Sequence, residues 1–286
     1  MRGDDTIRSP IYFSAKDKIP SQDNNETARN HLNGIVDARE GWDTYSFAGV
    51  NIPRVSQLLD TCIGKPWLRN YAAGLGKRYY SENKKTLYIG TLVHEMIEEF
   101  LLDGTIKEFQ FQSYDVKTRT ERAFNNFLNW YNDKIKLGFE ITPLQIEKVT
   151  TNPWFGGTID CKMQMKYKGI VRTYIMDFKT SKSLSFDYLL QAYAYYWSEN
   201  WNMKYLDQYQ NSIPLDGIGI IRVDKQKEEY EDLILDFNDP NNLLFLGDLD
   251  TALGSIVNWF YHQQNMNYNL KNMRDHRKEG FVNGTI

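Results

Sequence analysis

The stretch Gly157–Lys179 reads GTIDCKMQMKYKGIVRTYIMDFK. Lys168-Gly169 separates two alternating segments and is a candidate two-residue hairpin turn. If Tyr167 faces Ile170, the register pairs Ile159 with Phe178, Cys161 with Met176 and Met163 with Tyr174, all apolar or nearly so. One face of the hairpin then packs against a core, and a one-residue slip would send all six side chains to the other face. The opposite face pairs Asp160 with Asp177 and Thr158 with Lys179. Directly opposed β carbons lie about 4.5–5.5 Å apart, so two carboxylates there repel unless a cation sits between them. Lys179 follows Asp177 by two residues and points the same way. Close carboxylates with room for water and phosphate suit Mg²⁺, and a lysine beside them can orient a water or neutralise charge on a phosphoryl group. An incidental Asp–Lys pair on a solvated face would contain the same residues. A bulge would change the register while keeping them near one another.

Outward from this hairpin the reading is coarser. Residues 141–150, 155–167 and 170–179 read as strands, 185–201 as a helix, 215–224 and 230–237 as strands, and 240–264 as a closing helix. Upstream, Pro53 opens a helix carrying Val55, Leu58 and Leu59, which Gly64 ends; Pro66 starts another with Trp67, Leu68 and Tyr71. A longer helix begins near Ser81–Asn83 and stops at Gly104, with Leu92, Val93, Met96, Ile97, Phe100 and Leu101 on its apolar stripe. The next runs from Asp115 to Gly138 and turns Ala123, Phe124, Phe127, Leu128 and Tyr131 inward. This order predicts an α/β fold with antiparallel hairpins in a mixed central sheet flanked by helices. Residues 1–48 read as an irregular polar arm, 49–264 as one domain, and 265–286 as a floppy basic tail.

Composition narrows the function classes. The chain has 286 residues, 41% of them hydrophobic, enough to build a sizeable core. No apolar run approaches the roughly 20 residues that span a bilayer, and the acidic start at Met1–Asp5 has no apolar leader region, so no membrane partner is expected. Cys62 and Cys161 are too few for a disulfide framework or a four-cysteine zinc or iron–sulfur site. A reducing, cytoplasmic setting follows as the expectation. The net charge of -3 leaves nucleic-acid binding to local patches. The abundance of Asn, Lys, Tyr and Ile fits an AT-rich genome such as many phages have.

Three helical features add chemistry. His94-Glu95-Met96-Ile97-Glu98 lacks the second histidine of a zinc-protease helix. His94 instead sits at the edge of the apolar stripe, as a metal ligand or a structural hydrogen-bonder. Gln191 interrupts the apolar run Tyr188–Trp197, with Tyr195 one turn on. An amide buried there unpaired would cost about 1–3 kcal/mol, so the pair either presents polar groups to something specific or lies on an exposed edge. Lys65, Arg69, Lys77, Arg78, Lys84 and Lys85 interleave with Trp67, Tyr71, Tyr79, Tyr80 and Tyr88, with Glu82 the one acid among them. Cations among rings suit a single strand of nucleic acid, and equally a solvated surface above core aromatics.

Together, Gly90-Thr-Leu-Val-His94, Gly157-Thr-Ile-Asp160, Asp177-Phe-Lys179-Thr180 and Gln191-Ala-Tyr-Ala-Tyr195 resemble the ordered motifs of the PD-(D/E)XK nucleases, in the RecB-like branch. Ile52–Leu59 resembles the segment ahead of the histidine motif in mitochondrial genome-maintenance exonucleases and their phage relatives. The resemblance covers residues 50–262 and implies a restriction-endonuclease-like αβββαβ core. It implies Mg²⁺ or Mn²⁺ held by Asp160, Asp177, His94 and the Phe178 carbonyl, with Glu147 as an additional acid. It implies that Lys179 positions or activates the attacking water, and that Gln191 and Tyr195 support the site and contact the nucleic-acid backbone. The implied activity is DNA exonuclease on single-stranded or frayed ends, with a replication or recombination protein as partner and no iron–sulfur cluster. A structure-selective or restriction-like endonuclease and a non-catalytic nucleic-acid-binding protein are the alternatives.

Overall fold

Lys168 and Gly169 both take positive φ, 49° and 82°, as a type I′ hairpin turn requires. The turn sets Tyr167 opposite Ile170, Met163 opposite Tyr174 and Cys161 opposite Met176. The computed structural model that contains this hairpin describes residues 45–63, 73–206, 209 and 212–282. In chain order its elements are β1 (Tyr45–Phe47), β2 (Val50–Ile52), α1 (Val55–Cys62), α2 (Tyr79–Asp103), α3 (Tyr114–Lys136), β3 (Glu140–Thr151), β4 (Gly156–Tyr167), β5 (Ile170–Lys179), α4 (Phe186–Tyr205), β6 (Gly217–Val223), β7 (Tyr230–Asp236) and α5 (Pro240–Val282). A five-stranded sheet runs in the order β3-β4-β5-β6-β7. Only β5 and β6 pair parallel; its other neighbours are antiparallel. The fold is mixed α/β, with helices on both faces of the sheet.

Strand alternation feeds two apolar layers. Cys161, Met163, Tyr174, Met176, Phe178 and Ile221 pack with Val93, Ile97, Phe124 and Phe127 of α2 and α3. Ile175, Ile218 and Ile220 pack on the other face with Leu58 of α1, Leu190 of α4 and Leu253 of α5. Ile159 joins this second layer, so it does not share a face with Phe178 as the hairpin register alone predicts. The β4–β5 ladder ends at Cys161–Met176, and β4 is free to turn relative to β5 beyond it.

Two further expectations change. The irregular arm does not extend to residue 48: Tyr45 pairs with Ile52 and Phe47 with Val50 around Ala48 and Gly49, both at positive φ. Residues 1–44 and the helix expected at Pro66 lie outside the described residues. The closing helix does not stop at 264 but continues to Val282, so most of the stretch expected to be a floppy tail is helical. Among the described residues no helix is long and apolar enough to cross a membrane.

Candidate metal centre

The site begins where β4 and β5 part. Past Met176, the Phe178 N–H donates to the Asp160 Oδ2 at 2.7 Å, so a carboxylate replaces a backbone acceptor. Such a charge-assisted bond is short and strong, and it fixes Asp160 at the split. On the other side of β4, Ile146 pairs with Cys161 and Lys148 with Ile159, which sets Glu147 opposite Asp160. Glu147 has a φ of 48°, and β3 shifts register between Pro143 and Gln145. A left-handed glutamate costs about 1–3 kcal/mol, and irregularities of this kind re-aim side chains. From α2, His94 brings its Nδ1 to 3.6 Å from Asp160 Oδ2, with its ring edge-on to Phe178 at 6.3 Å. One ligand atom from each of His94, Glu147 and Asp160 lies within 4.8 Å of the others.

A second, more buried chain of polar groups lies alongside. Asp177 is 1% exposed, and Lys179 Nζ lies 2.9 Å from its Oδ1 and 2.7 Å from its Oδ2. Lys179 also donates to Gln191 Oε1 at 3.2 Å, and Gln191 Nε2 donates to the Tyr195 Oη at 2.9 Å. Gln191 thus spends its amide inside the site and not on an outer edge. The Tyr188 ring lies 5.2 Å from the ammonium. Gly157 makes room for Tyr195: a Cβ on residue 157 would lie 2.3 Å from the Tyr195 Cε1. Tyr45 Oη bonds Thr158 Oγ1 at 2.9 Å, tying β1 to the same strand.

Burial shapes the electrostatics. It pushes the Asp177 carboxyl up to about 6 against the opposing pull of Lys179. For Lys179 burial is the largest influence and acts downward, but the carboxylates of Asp177 and Asp160 together outweigh it and hold the ammonium above its ordinary range. Glu147 is raised, first by desolvation and then by Asp160. An ammonium kept protonated beside a cluster of carboxylates is equipped to meet negative charge that develops on a bound group. One imidazole and two carboxylates fit a divalent cation, and the imidazole favours Mn²⁺ over Mg²⁺.

The structure brings His94, Glu147, Asp160, Asp177, Phe178, Lys179, Gln191 and Tyr195 to one end of the sheet. Within it, Asp177 is committed to Lys179, and the three-group cluster draws on Glu147. The described cations of the basic–aromatic stretch lie on and just ahead of the first half of α2, where Tyr80 is 81% exposed; Lys65, Trp67, Arg69 and Tyr71 lie outside the described residues. A separate cleft of ≈ 550 Å³ at the hairpin end is lined by Phe139, Tyr167, Arg172 and Asp232 among others. Its cations Lys134 and Arg172 are paired with Asp232 and Asp236. Sequence reasoning missed the layer under α4 where Lys148 meets Glu199 at 2.6 Å and Thr150 meets Ser198 at 3.0 Å. The alternation of β3 was the available signal, since it places Lys148 and Thr150 on one face. No protein-family model and no curated protein matches the chain.

Proposed function

We propose that this chain is a metal-dependent deoxyribonuclease with a restriction-endonuclease-like core, of the RecB-like branch of the PD-(D/E)XK nucleases, acting as an exonuclease on single-stranded or frayed DNA ends. The observation that carries the reading is the convergence of His94, Glu147 and Asp160 within 4.8 Å beside a lysine that is itself held by Asp177 and Gln191. His94, Glu147 and Asp160 are the groups that would hold the cation, with Asp177 behind them. A divalent cation bound there supplies Lewis-acid activation of a phosphodiester and of water. Lys179 offers its ammonium to the charge that grows on the phosphoryl oxygens. Asp177 keeps that ammonium charged, Gln191 fixes its direction, and Tyr195 fixes Gln191. The exonuclease preference rests on the resemblance of Ile52–Leu59 and the four motifs.

The test is cleavage of end-labelled linear and closed circular single-stranded DNA with Mg²⁺, Mn²⁺ or EDTA. Metal-dependent loss of the linear strand alone is the expected result. Cleavage of the circle would point to an endonuclease, and binding without cleavage of either to a non-catalytic module. Lys179→Ala is the first variant. It leaves Asp177 buried without its cation, a loss of about 3–5 kcal/mol for a broken buried pair, so Asp160→Asn at the more accessible carboxylate runs beside it.

A further inference from the structure

A group of cations stands beside the candidate centre that the reading above leaves unused. β5 and β6 run parallel and pair Lys179 with Arg222. Beyond that pair, Arg222 Nη1 donates to the Ser181 carbonyl at 3.5 Å, so the two chain ends stay side by side. Lys182 and Lys225 each lie three residues past it. The turn that carries Lys225 is fixed from within: Asp224 Oδ1 accepts from the Gln226 and Lys227 N–H groups at 2.6 and 3.0 Å. It is also fixed from α3. Asn126 Nδ2 donates to the Asp224 and Lys227 carbonyls, both at 2.8 Å, and Arg122 donates to the Gln226 carbonyl at 3.1 Å. Arg119 lies one turn before Arg122 on the same helix.

The cations that meet here are under-neutralised. Lys225 is lowered first by burial and then by Arg119, with Asp224 opposing and Lys182 lowering it further, so Arg119 and Lys182 each stand close enough to act on it. Among the described residues neither the Lys182 nor the Lys225 ammonium has a hydrogen bond or ion pair. The neighbouring Asp224 is taken up by Arg222 and the turn. Asp115, which pairs with Arg119 at 3.2 Å, is shared with Lys85 at 3.2 Å. Like charges held this close cost stability, and a polyanion laid across them removes that cost.

We propose that Arg119, Lys182 and Lys225 form a binding subsite for the phosphate backbone of a nucleic-acid strand whose reacting bond lies at His94, Glu147 and Asp160; the position of that bond rests on the nuclease reading. Three residues of chain reach at most about 10 Å, so the Lys182 backbone stays within about 10 Å of Lys179.

The test is binding of a fluorescent oligothymidylate in EDTA, where no cleavage occurs, followed by anisotropy across a salt series. Each phosphate contact on a single strand contributes about 0.7 to the slope of log affinity against log salt. Lys182→Gln combined with Lys225→Gln is expected to make the slope shallower by about 1.4 and to weaken binding about 25-fold at about 0.1 M salt. Lys166→Gln combined with Lys168→Gln removes equal charge at the far end of β5 and is expected to leave both unchanged. Equal slopes for wild type and the first pair, or equal losses for both pairs, would overturn the subsite, as would a wild type that binds no oligonucleotide. The parallel cleavage assay separates the two ideas. A lost slope in a protein that does not cleave keeps the subsite and overturns the nuclease, and an intact slope in one that cleaves does the reverse.

Discussion

Asp160 joins three roles: it accepts the Phe178 N–H, it stands 3.6 Å from His94, and it lies opposite Glu147 of the neighbouring strand β3. Its substitution by Asn keeps the shape and removes the charge. The mixed donor set leads to one expectation at this scale: cleavage with Mn²⁺ should exceed that with Mg²⁺ at equal free metal, and His94→Ala should narrow the gap by removing the softer ligand. Initial rates in the two metals check it. Gly157 gives a second. Gly157→Ala drives a Cβ into Tyr195, and overpacking of this kind costs about 1–3 kcal/mol. A lower melting temperature together with a lower rate is expected. Most residues of the site were legible in the sequence, because the hairpin alternation gathers two carboxylates and a lysine on one face and a glutamine interrupts an otherwise apolar helical run. The weight carried by Glu147 was not, since its left-handed backbone and the β3 irregularity leave no mark in local composition.

Elements were legible where a period was sustained. The α2 stripe buries Leu92, Val93, Met96, Ile97 and Leu101, and the hairpin register holds from Tyr167–Ile170 to Cys161–Met176. It fails where the carboxylate of Asp160, and not a backbone carbonyl, meets Phe178, a tertiary event no alternation rule contains. The short β1–β2 hairpin was missed because its turn uses Ala48, a residue that ordinarily avoids positive φ. The β6–β7 turn carries its own prediction. Burial acts on Asp224 first and upward, but the Gln226 and Lys227 N–H groups and Arg222 outweigh it, and its pKa falls below the ordinary value. A carboxyl made more acidic by folding stabilises the fold above its unfolded pKa of about 3.9 and loses that stabilisation as pH falls through the lower folded value. Asp224→Asn should therefore lower the melting temperature near neutral pH and much less below about pH 4, which melts at several pH values would show.

Across the whole molecule, the two apolar layers meet the candidate centre from opposite sides of the sheet. α2 supplies His94 from one layer, and α4 supplies Gln191 and Tyr195 from the other. An ion that binds only the assembled centre adds to global stability, by about 2.7 kcal/mol at a concentration a hundred times its dissociation constant. Saturating Mn²⁺ should raise the melting temperature of the wild type and leave Asp160→Asn unmoved, a calorimetric result independent of activity.

The most direct test of the central claim is the rate of hydrolysis of end-labelled linear single-stranded DNA as a function of free Mn²⁺, in wild type and in Asp160→Asn. The account predicts a saturable, EDTA-sensitive rate in the wild type and a fall of about a hundredfold or more in the variant, in the range for loss of one charge-stabilising group. Hydrolysis that ignores the metal, or a folded Asp160→Asn as fast as the wild type, would contradict it.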